Sequence, residues 1–249
     1  MIITSESVEI PVDGSPMRTY VASPKAEGRY PGVVFYSDIF QLTGPMLRIT
    51  RRLAGFGFVV AAPEIYHRIE PPGTVLDFEA DRARALDDST KIPVIEFDRD
   101  IRAALNYLSG HPKVAPGQLA AAGFCFGGHL AFRAGFQPDV KATTCFYGTG
   151  IHNGKLGSDA DTGSLGRAKE IEGKLLMVFG TLDPHIPEEG RAVIDAGLRS
   201  AGVDYSINLY PAEHTFMRDE GARHDPEATD QAFGSMIALF REVFRARQD

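Results

Sequence analysis

Short apolar runs alternate with longer amphipathic stretches along most of the chain. Residues 7–11 and 18–22 predict two strands around the turn Asp13-Gly14-Ser15-Pro16. Gly32-Val33-Val34-Phe35-Tyr36 and Phe58-Val59-Val60-Ala61-Ala62 are continuous apolar runs that suit buried strands, the second closed by Pro63. Between them, residues 45–55 predict a helix with Pro45 in its first turn. Residues 77–88 suit a charged, exposed helix after the turn Glu70-Pro71-Pro72-Gly73. Residues 98–109 predict a helix with Ile101, Ala104, Leu105 and Leu108 on one face. Residues 119–122 predict a strand running into Gly123, and 129–136 a helix. Strands follow at 142–147, 174–179 and 205–210, with a helix at 190–201.

The last helix carries the clearest pattern. Asp225 can cap it and Pro226 suits its first position. Phe233, Met236, Ile237, Phe240 and Phe244 then recur at three-to-four spacing, a stripe that core packing explains fully. Strands alternating with helices predict an α/β fold, a mostly parallel central sheet flanked by helices on both faces. Residues 1–249 are expected to form a single domain, with 150–170, rich in Gly, Ser and Asp, as a surface loop holding some short helix.

Composition narrows the function classes. A chain of 249 residues can bury roughly three quarters of its unfolded surface, so it needs no disulfide or metal staple. Two cysteines exclude a disulfide scaffold or a Cys-rich zinc module. A net charge of −7 argues against a nucleic-acid partner, which would call for clustered Lys and Arg. No apolar run approaches membrane-spanning length. The start, Met1-Ile2-Ile3-Thr4-Ser5-Glu6, lacks a basic stretch followed by an apolar one, so a cytoplasmic protein with reduced thiols is expected.

The segment with chemistry is Gly123-Phe124-Cys125-Phe126-Gly127-Gly128-His129, which follows a strand and opens a helix. A Gly-x-nucleophile-x-Gly turn puts its central residue on a sharp bend, with small residues where neighbouring backbone comes close. The helix N-terminus favours a thiolate at Cys125, and the Phe126 amide can donate to a developing oxyanion. A buried core cysteine is the plain alternative; the flanking glycines argue against it there, whereas Cys145, inside an apolar run, reads as core. A phosphate loop would need a Lys-Ser/Thr pair that this segment lacks.

A nucleophile of this type needs a base and an orienting acid. Asp183, in Phe179-Gly180-Thr181-Leu182-Asp183-Pro184, and His214, in Tyr210-Pro211-Ala212-Glu213-His214-Thr215-Phe216, each follow a predicted strand. Their order, Cys125, Asp183, His214, is that of an α/β-hydrolase. His185 stands too near Asp183 in sequence to follow a strand of its own, and His129 lies inside the nucleophile helix, where it is expected to pack. Metal binding through Cys125, His129 and His214 lacks a closely spaced ligand pair.

From about Gly32 to the last helix, the chain resembles the dienelactone hydrolase family of α/β-hydrolases. The resemblance rests on Gly123-Phe124-Cys125-Phe126-Gly127-Gly128, the Asp183 turn, residues 213–218, Asp38-Ile39-Phe40, and Pro72-Gly73-Thr74-Val75-Leu76-Asp77. It implies an α/β-hydrolase fold and cysteine-dependent hydrolysis of an enol-lactone bearing a carboxylate. In that reading Cys125 is the nucleophile, His214 the base and Asp183 its partner. The amides of Ile39 and Phe126 form the oxyanion hole, and Arg84 and Arg218 clamp the substrate carboxylate. Asp38 stands where the family has a glutamate that holds the resting thiol, and is one methylene shorter. Asp88 stands where the dienelactone enzymes carry a tyrosine, and the chain has no tryptophan, which those enzymes use in this region. The chemistry is therefore expected to transfer better than the substrate.

No metal or organic cofactor is expected, and the partner is a small ester or lactone, with the protein a monomer or small homo-oligomer. The competing readings are a broad carboxylesterase or thioesterase, and a non-catalytic binding protein or thiol sensor. A sensor usually has a resolving thiol nearby, and Cys145 suits that role poorly.

Overall fold

The computed structural model describes residues 1–245. Eight strands form one sheet: β1 (Ile3–Val12), β2 (Ser15–Pro24), β3 (Tyr30–Tyr36), β4 (Val59–Pro63), β5 (Val114–Phe124), β6 (Val140–Phe146), β7 (Lys174–Gly180) and β8 (Tyr205–Tyr210). Their spatial order is β1-β2-β4-β3-β5-β6-β7-β8. Only β2 runs against the others, and every neighbouring pair from β4 to β8 is parallel. The helices are α1 (Gly44–Gly55), α2 (Arg82–Asp88), α3 (Val94–Gly110), α4 (Phe126–Ala134), α5 (Glu188–Ala201) and α6 (Pro226–Arg245).

The differences from the sequence expectation have local causes. The first turn contains only Asp13 and Gly14, both at positive φ, so Ser15 and Pro16 already belong to β2. That is the two-residue hairpin an Asp-Gly pair favours. β5 starts at Val114, five residues before the expected Leu119, because a register shift absorbs Pro116 and Gly117. Helix α3 starts four residues early, directly after Pro93, and brings Phe97 into the core. The expected helix over 77–88 shrinks to α2, since the Asp77 carboxylate accepts the Glu79 and Ala80 amides and holds a turn instead. The 150–170 segment carries two short 3₁₀ turns, Ile151–Asn153 and Leu165–Glu170.

The core lies against the parallel strands. Every residue of β4 is buried, as is β5 from Leu119 onward, the continuous burial expected of strands covered on both faces. Helix α6 packs on β6 and β7, with all five residues of its stripe buried. The Asp225 carboxylate accepts the Ala228 amide at 2.9 Å and caps it. Phe233 and Phe240 of α6 meet Phe56 and Phe58, which flank the entry to β4.

Chain direction across the sheet reverses at β3, which lies between β4 and β5. A crevice forms outside the carboxyl ends of the strands at such a point. Asp38 and Ile39 follow β3 there and Cys125 follows β5; Asp183 and His214 follow β7 and β8 along the same edge.

Candidate active site

Cys125 sits between β5 and α4 at φ 55°, ψ −118°, a backbone conformation that costs a non-glycine residue of order 1–3 kcal/mol. Its neighbours lock it in place. A Cβ on Gly123 would lie 2.1 Å from the Gly127 carbonyl oxygen, and one on Gly127 would lie 2.2 Å from that of Ser37. The glycines thus let the elbow nest against the end of β3, and the bend leaves Cys125 partly exposed.

Three side chains form a hydrogen-bonded row. His214 Nε2 lies 3.1 Å from Cys125 Sγ, and His214 Nδ1 lies 2.6 Å from Asp183 Oδ2. The other Asp183 oxygen accepts the His185 amide at 2.8 Å. Burial works against a charge on His214, but its charge and hydrogen-bond interactions with Cys125 and Asp183 outweigh burial and lift its pKa to about 9. Burial likewise pushes Asp183 up, yet the hydrogen bond and charge of His214 bring it net below its usual range. Tyr147 and His185 set their rings edge-on to the imidazole, with centroids 5.2 Å and 4.6 Å away. Tyr147 and Thr215 join Cys125 at positive φ, so strained backbone gathers around the row.

A cavity of about 220 Å³ opens over Cys125, with Ile39, Phe126, Thr149 and Leu86 on its walls and Arg82, Arg218 and Arg223 around it. The Phe126 amide stands in the first turn of α4, where amides lack a partner within the helix. Arg218 donates from Nη2 to Asp38 Oδ2 at 2.9 Å, and its guanidinium lies 4.0 Å over the Phe78 ring. Asp38 Oδ1 accepts the Phe40 amide at 3.0 Å. Burial raises the pKa of Asp38, and Arg218 opposes that rise. Asp38 therefore faces Arg218 and its own loop, and among the described residues it makes no hydrogen bond to the thiol.

Arg84 is turned away from the cavity. Its guanidinium grips the buried Glu70 carboxylate with Nε at 2.8 Å and with Nη2. Arg82, two residues earlier in α2 and so on a different side of the helix, faces the cavity instead. Sequence reasoning missed Arg82, Arg223, Tyr147 and the cavity-facing His185; only His185 had a local signal, its place beside Asp183. Asp88 is buried and ion-paired to Lys91 at 2.8 Å.

His129 points into the protein, away from Cys125. Nδ1 lies 2.9 Å from the Thr149 carbonyl and Nε2 2.8 Å from Ser164 Oγ. Burial, with Arg133 nearby, drives its pKa down to about 3, so it stays neutral. Arg133 of α4 completes the anchor, pairing with Asp98 through two hydrogen bonds and with Ser164 at 2.8 Å.

Residues 17–244 match the Dienelactone hydrolase family. The chain belongs to that family. It is similar to a protein of Saccharomyces cerevisiae named "Putative carboxymethylenebutenolidase", 34% identical over 98% of this chain and 94% of the other. A Synechocystis protein of the same name is 33% identical over 96% and 97%. Among solved structures, a dienelactone hydrolase from Klebsiella pneumoniae, also titled "Putative", superposes with a TM-score of 0.85 at 26% identity, covering 97% of this chain and all of that one. Dienelactone hydrolases are ester hydrolases of the α/β-hydrolase fold, and this chain has both the fold and the family's kind of activity. Among the described residues, no helix is long and apolar enough to cross a membrane.

Proposed function

We propose that this dienelactone hydrolase relative cleaves carboxylic esters through Cys125, His214 and Asp183, and that its preferred substrates are enol-lactones bearing a carboxylate. The observation that carries the reading is His214 bridging Cys125 and Asp183 at the floor of a cavity large enough for a small lactone. His214, whose raised pKa keeps it protonated at neutral pH, holds the proton that Cys125 gives up, and the thiolate attacks the carbonyl. The amides of Ile39 and Phe126 hold the oxyanion. Collapse breaks the ester C–O bond; the enolate, a good leaving group that in a lactone stays tethered to the acyl chain, takes the proton from His214, leaving a thioester on Cys125 and a neutral imidazole. Water deprotonated by His214 hydrolyses the thioester and regenerates the thiol. Asp183 keeps the imidazole in the tautomer and orientation both steps need.

A broad carboxylesterase or thioesterase activity is the second reading. It is favoured by the pairing of Arg84 with Glu70 and of Arg218 with Asp38, which offsets both charges the lactone carboxylate would use. Steady-state assays on a carboxylate-bearing enol-lactone and a neutral aryl ester separate the two. The proposal expects the lactone to be favoured and Cys125→Ala to lose activity on both. Turnover of the neutral ester alone supports the second reading, and turnover of neither refutes both.

A further inference from the structure

The two edges of the sheet differ in character. β1, at one end, pairs only with β2 and carries Glu6, Glu9 and Pro11, residues that discourage a further strand from adding there. β8, at the other end, pairs only with β7, without a register shift. Its residues, Tyr205-Ser206-Ile207-Asn208-Leu209-Tyr210, include no charge and no proline. None of the usual guards of an edge strand is present.

The groups that β8 turns outward follow from its inner hydrogen bonds. The Asp204 carbonyl accepts the Leu175 amide at 2.9 Å, and the Tyr210 carbonyl accepts the Thr181 amide at 2.7 Å. A strand residue sends its N–H and C=O to one side, and neighbours alternate. Ser206 and Asn208 therefore also face β7, while Tyr205, Ile207 and Leu209 turn both groups outward. Among the described residues, no backbone group bonds to them there. Side chains hold the strand in place from both faces. The Tyr205 hydroxyl donates to the Asp195 carboxylate of α5 at 2.5 Å, and the Asn208 amide donates to Ser235 Oγ of α6 at 3.1 Å.

The outward residues are evenly spaced about Ile207, which makes this edge complementary to itself. An antiparallel second copy sets Ile207 opposite Ile207 and Tyr205 opposite Leu209 in both directions, each pair exchanging two hydrogen bonds. A parallel copy needs a one-residue stagger, which a two-fold axis cannot supply. Charge agrees with the antiparallel arrangement. Helix α5 starts near the carboxyl edge of the sheet with Glu188 and Glu189 and ends beside the start of β8 with Arg199. Antiparallel copies turn the acidic end of one α5 towards the basic end of the other.

We propose that β8 is the interface of a two-fold dimer of this chain, joined edge to edge into one continuous sheet with Ile207 on the axis. The Tyr205 ring of each copy covers Leu209 of the other, a side chain 53% exposed in the single chain. This inference does not depend on the hydrolase reading.

Sedimentation velocity of the full chain is expected to show the mass doubling as concentration rises through the micromolar range. Leu209→Lys puts a charge into the seam at an exposed position and is expected to weaken the dimer by about tenfold or more. Ile207→Pro removes an outward N–H that β7 does not use, and is expected to give a folded monomer by circular dichroism. Ser5→Lys, on the β1 edge, keeps wild-type association. The register has its own readout. In a Cys125→Ala background, Ile207→Cys is expected to form an intermolecular disulfide on mild oxidation, because residues opposed in such a pair lie about 5.5 Å apart at Cα. Leu209→Cys is expected not to, because it lies about 13 Å along the strand from its own counterpart. A wild type that stays monomeric through that range overturns the proposal. So does a dimer that Leu209→Lys leaves intact, or one in which Leu209→Cys cross-links and Ile207→Cys does not. If Ile207→Pro fails to fold, the Leu209→Lys and disulfide results decide.

Discussion

Asp38, which follows β3, and Arg218, which follows β8, neutralise each other, carboxylate to guanidinium at 2.9 Å, with Asp38 almost fully buried. Removing one partner of such a pair leaves an uncompensated charge, at a cost of about 3 kcal/mol or more. Arg218→Ala is expected to lower stability by that order in urea titration, and Asp38→Ala/Arg218→Ala to recover most of the loss. A double variant as unstable as the single one contradicts the pairing.

Arg84 carries the opposite expectation. Its partner is the buried Glu70, away from the cavity, so Arg84→Ala changes KM for a carboxylate-bearing ester by less than about twofold, a difference below the tenfold that about 1.4 kcal/mol of lost contact brings. Initial-rate kinetics on the purified variant check this, and a KM rise of about tenfold or more would show that Arg84 reaches the substrate.

The raised pKa of His214 fixes a pH dependence. Protonation is favoured below about 9 and lost above it. Nitrogen-15 NMR of the imidazole should show His214 protonated at pH 7.5, titrating near 9. Cys125→Ala removes the largest raising influence, so the midpoint falls while the Asp183 hydrogen bond remains. An unchanged midpoint would mean the sulfur does not set it.

His129 gives a stability signature of the opposite sign. Its folded pKa, about 3, lies below the unfolded value near 6.5. Its contribution is fully present above pH 6.5 and is lost as pH falls towards 3, because only the unfolded chain takes up the proton. His129→Gln cannot titrate. The stability difference between wild type and this variant should therefore shift against the wild type by about 1.4 kcal/mol per pH unit between 6 and 4.5. A constant difference in denaturant titrations at pH 6.5, 5.5 and 4.5 would refute it.

The elbow glycines predict a steric failure. In Gly127→Ala the new methyl group meets backbone, not a movable side chain, at 2.2 Å. The variant is expected either not to fold or to displace Cys125 and lose at least about a hundredfold in kcat/KM, the scale of a 1 Å misplacement of a reacting group. Circular dichroism with an ester assay checks both; a folded variant of near-wild-type activity would show that the elbow has room.

The sequence carried the fold where hydrophobic runs were unbroken. β3, β4 and β7 lie within one or two residues of their expected bounds, because strands buried on both faces leave little ambiguity, and the edge strand β8 matches its expected bounds. Bounds slipped where a breaker was absorbed, as at Gly117, or where a side chain captured backbone amides, as at Asp77. The alignment of Cys125, Asp183 and His214 along one sheet edge was legible because each follows its own strand. The arginines were not. Which face of a seven-residue helix meets the cavity depends on how the preceding turn enters it, and no periodicity in Arg82-Ala83-Arg84 records that.

The anchoring of His129 and Arg133 on Ser164 makes the 150–170 segment part of the frame that aims the sulfur, not a lid over it. Helix α2 is its counterpart: it buries only Ala85 and Asp88, yet supplies Arg82 and Leu86 to the cavity, with Ser89 just beyond its end. Grafting a different α2 should exchange the range of acceptable esters while the reacting machinery stays put, which makes those seven residues the natural cassette for redirecting this hydrolase.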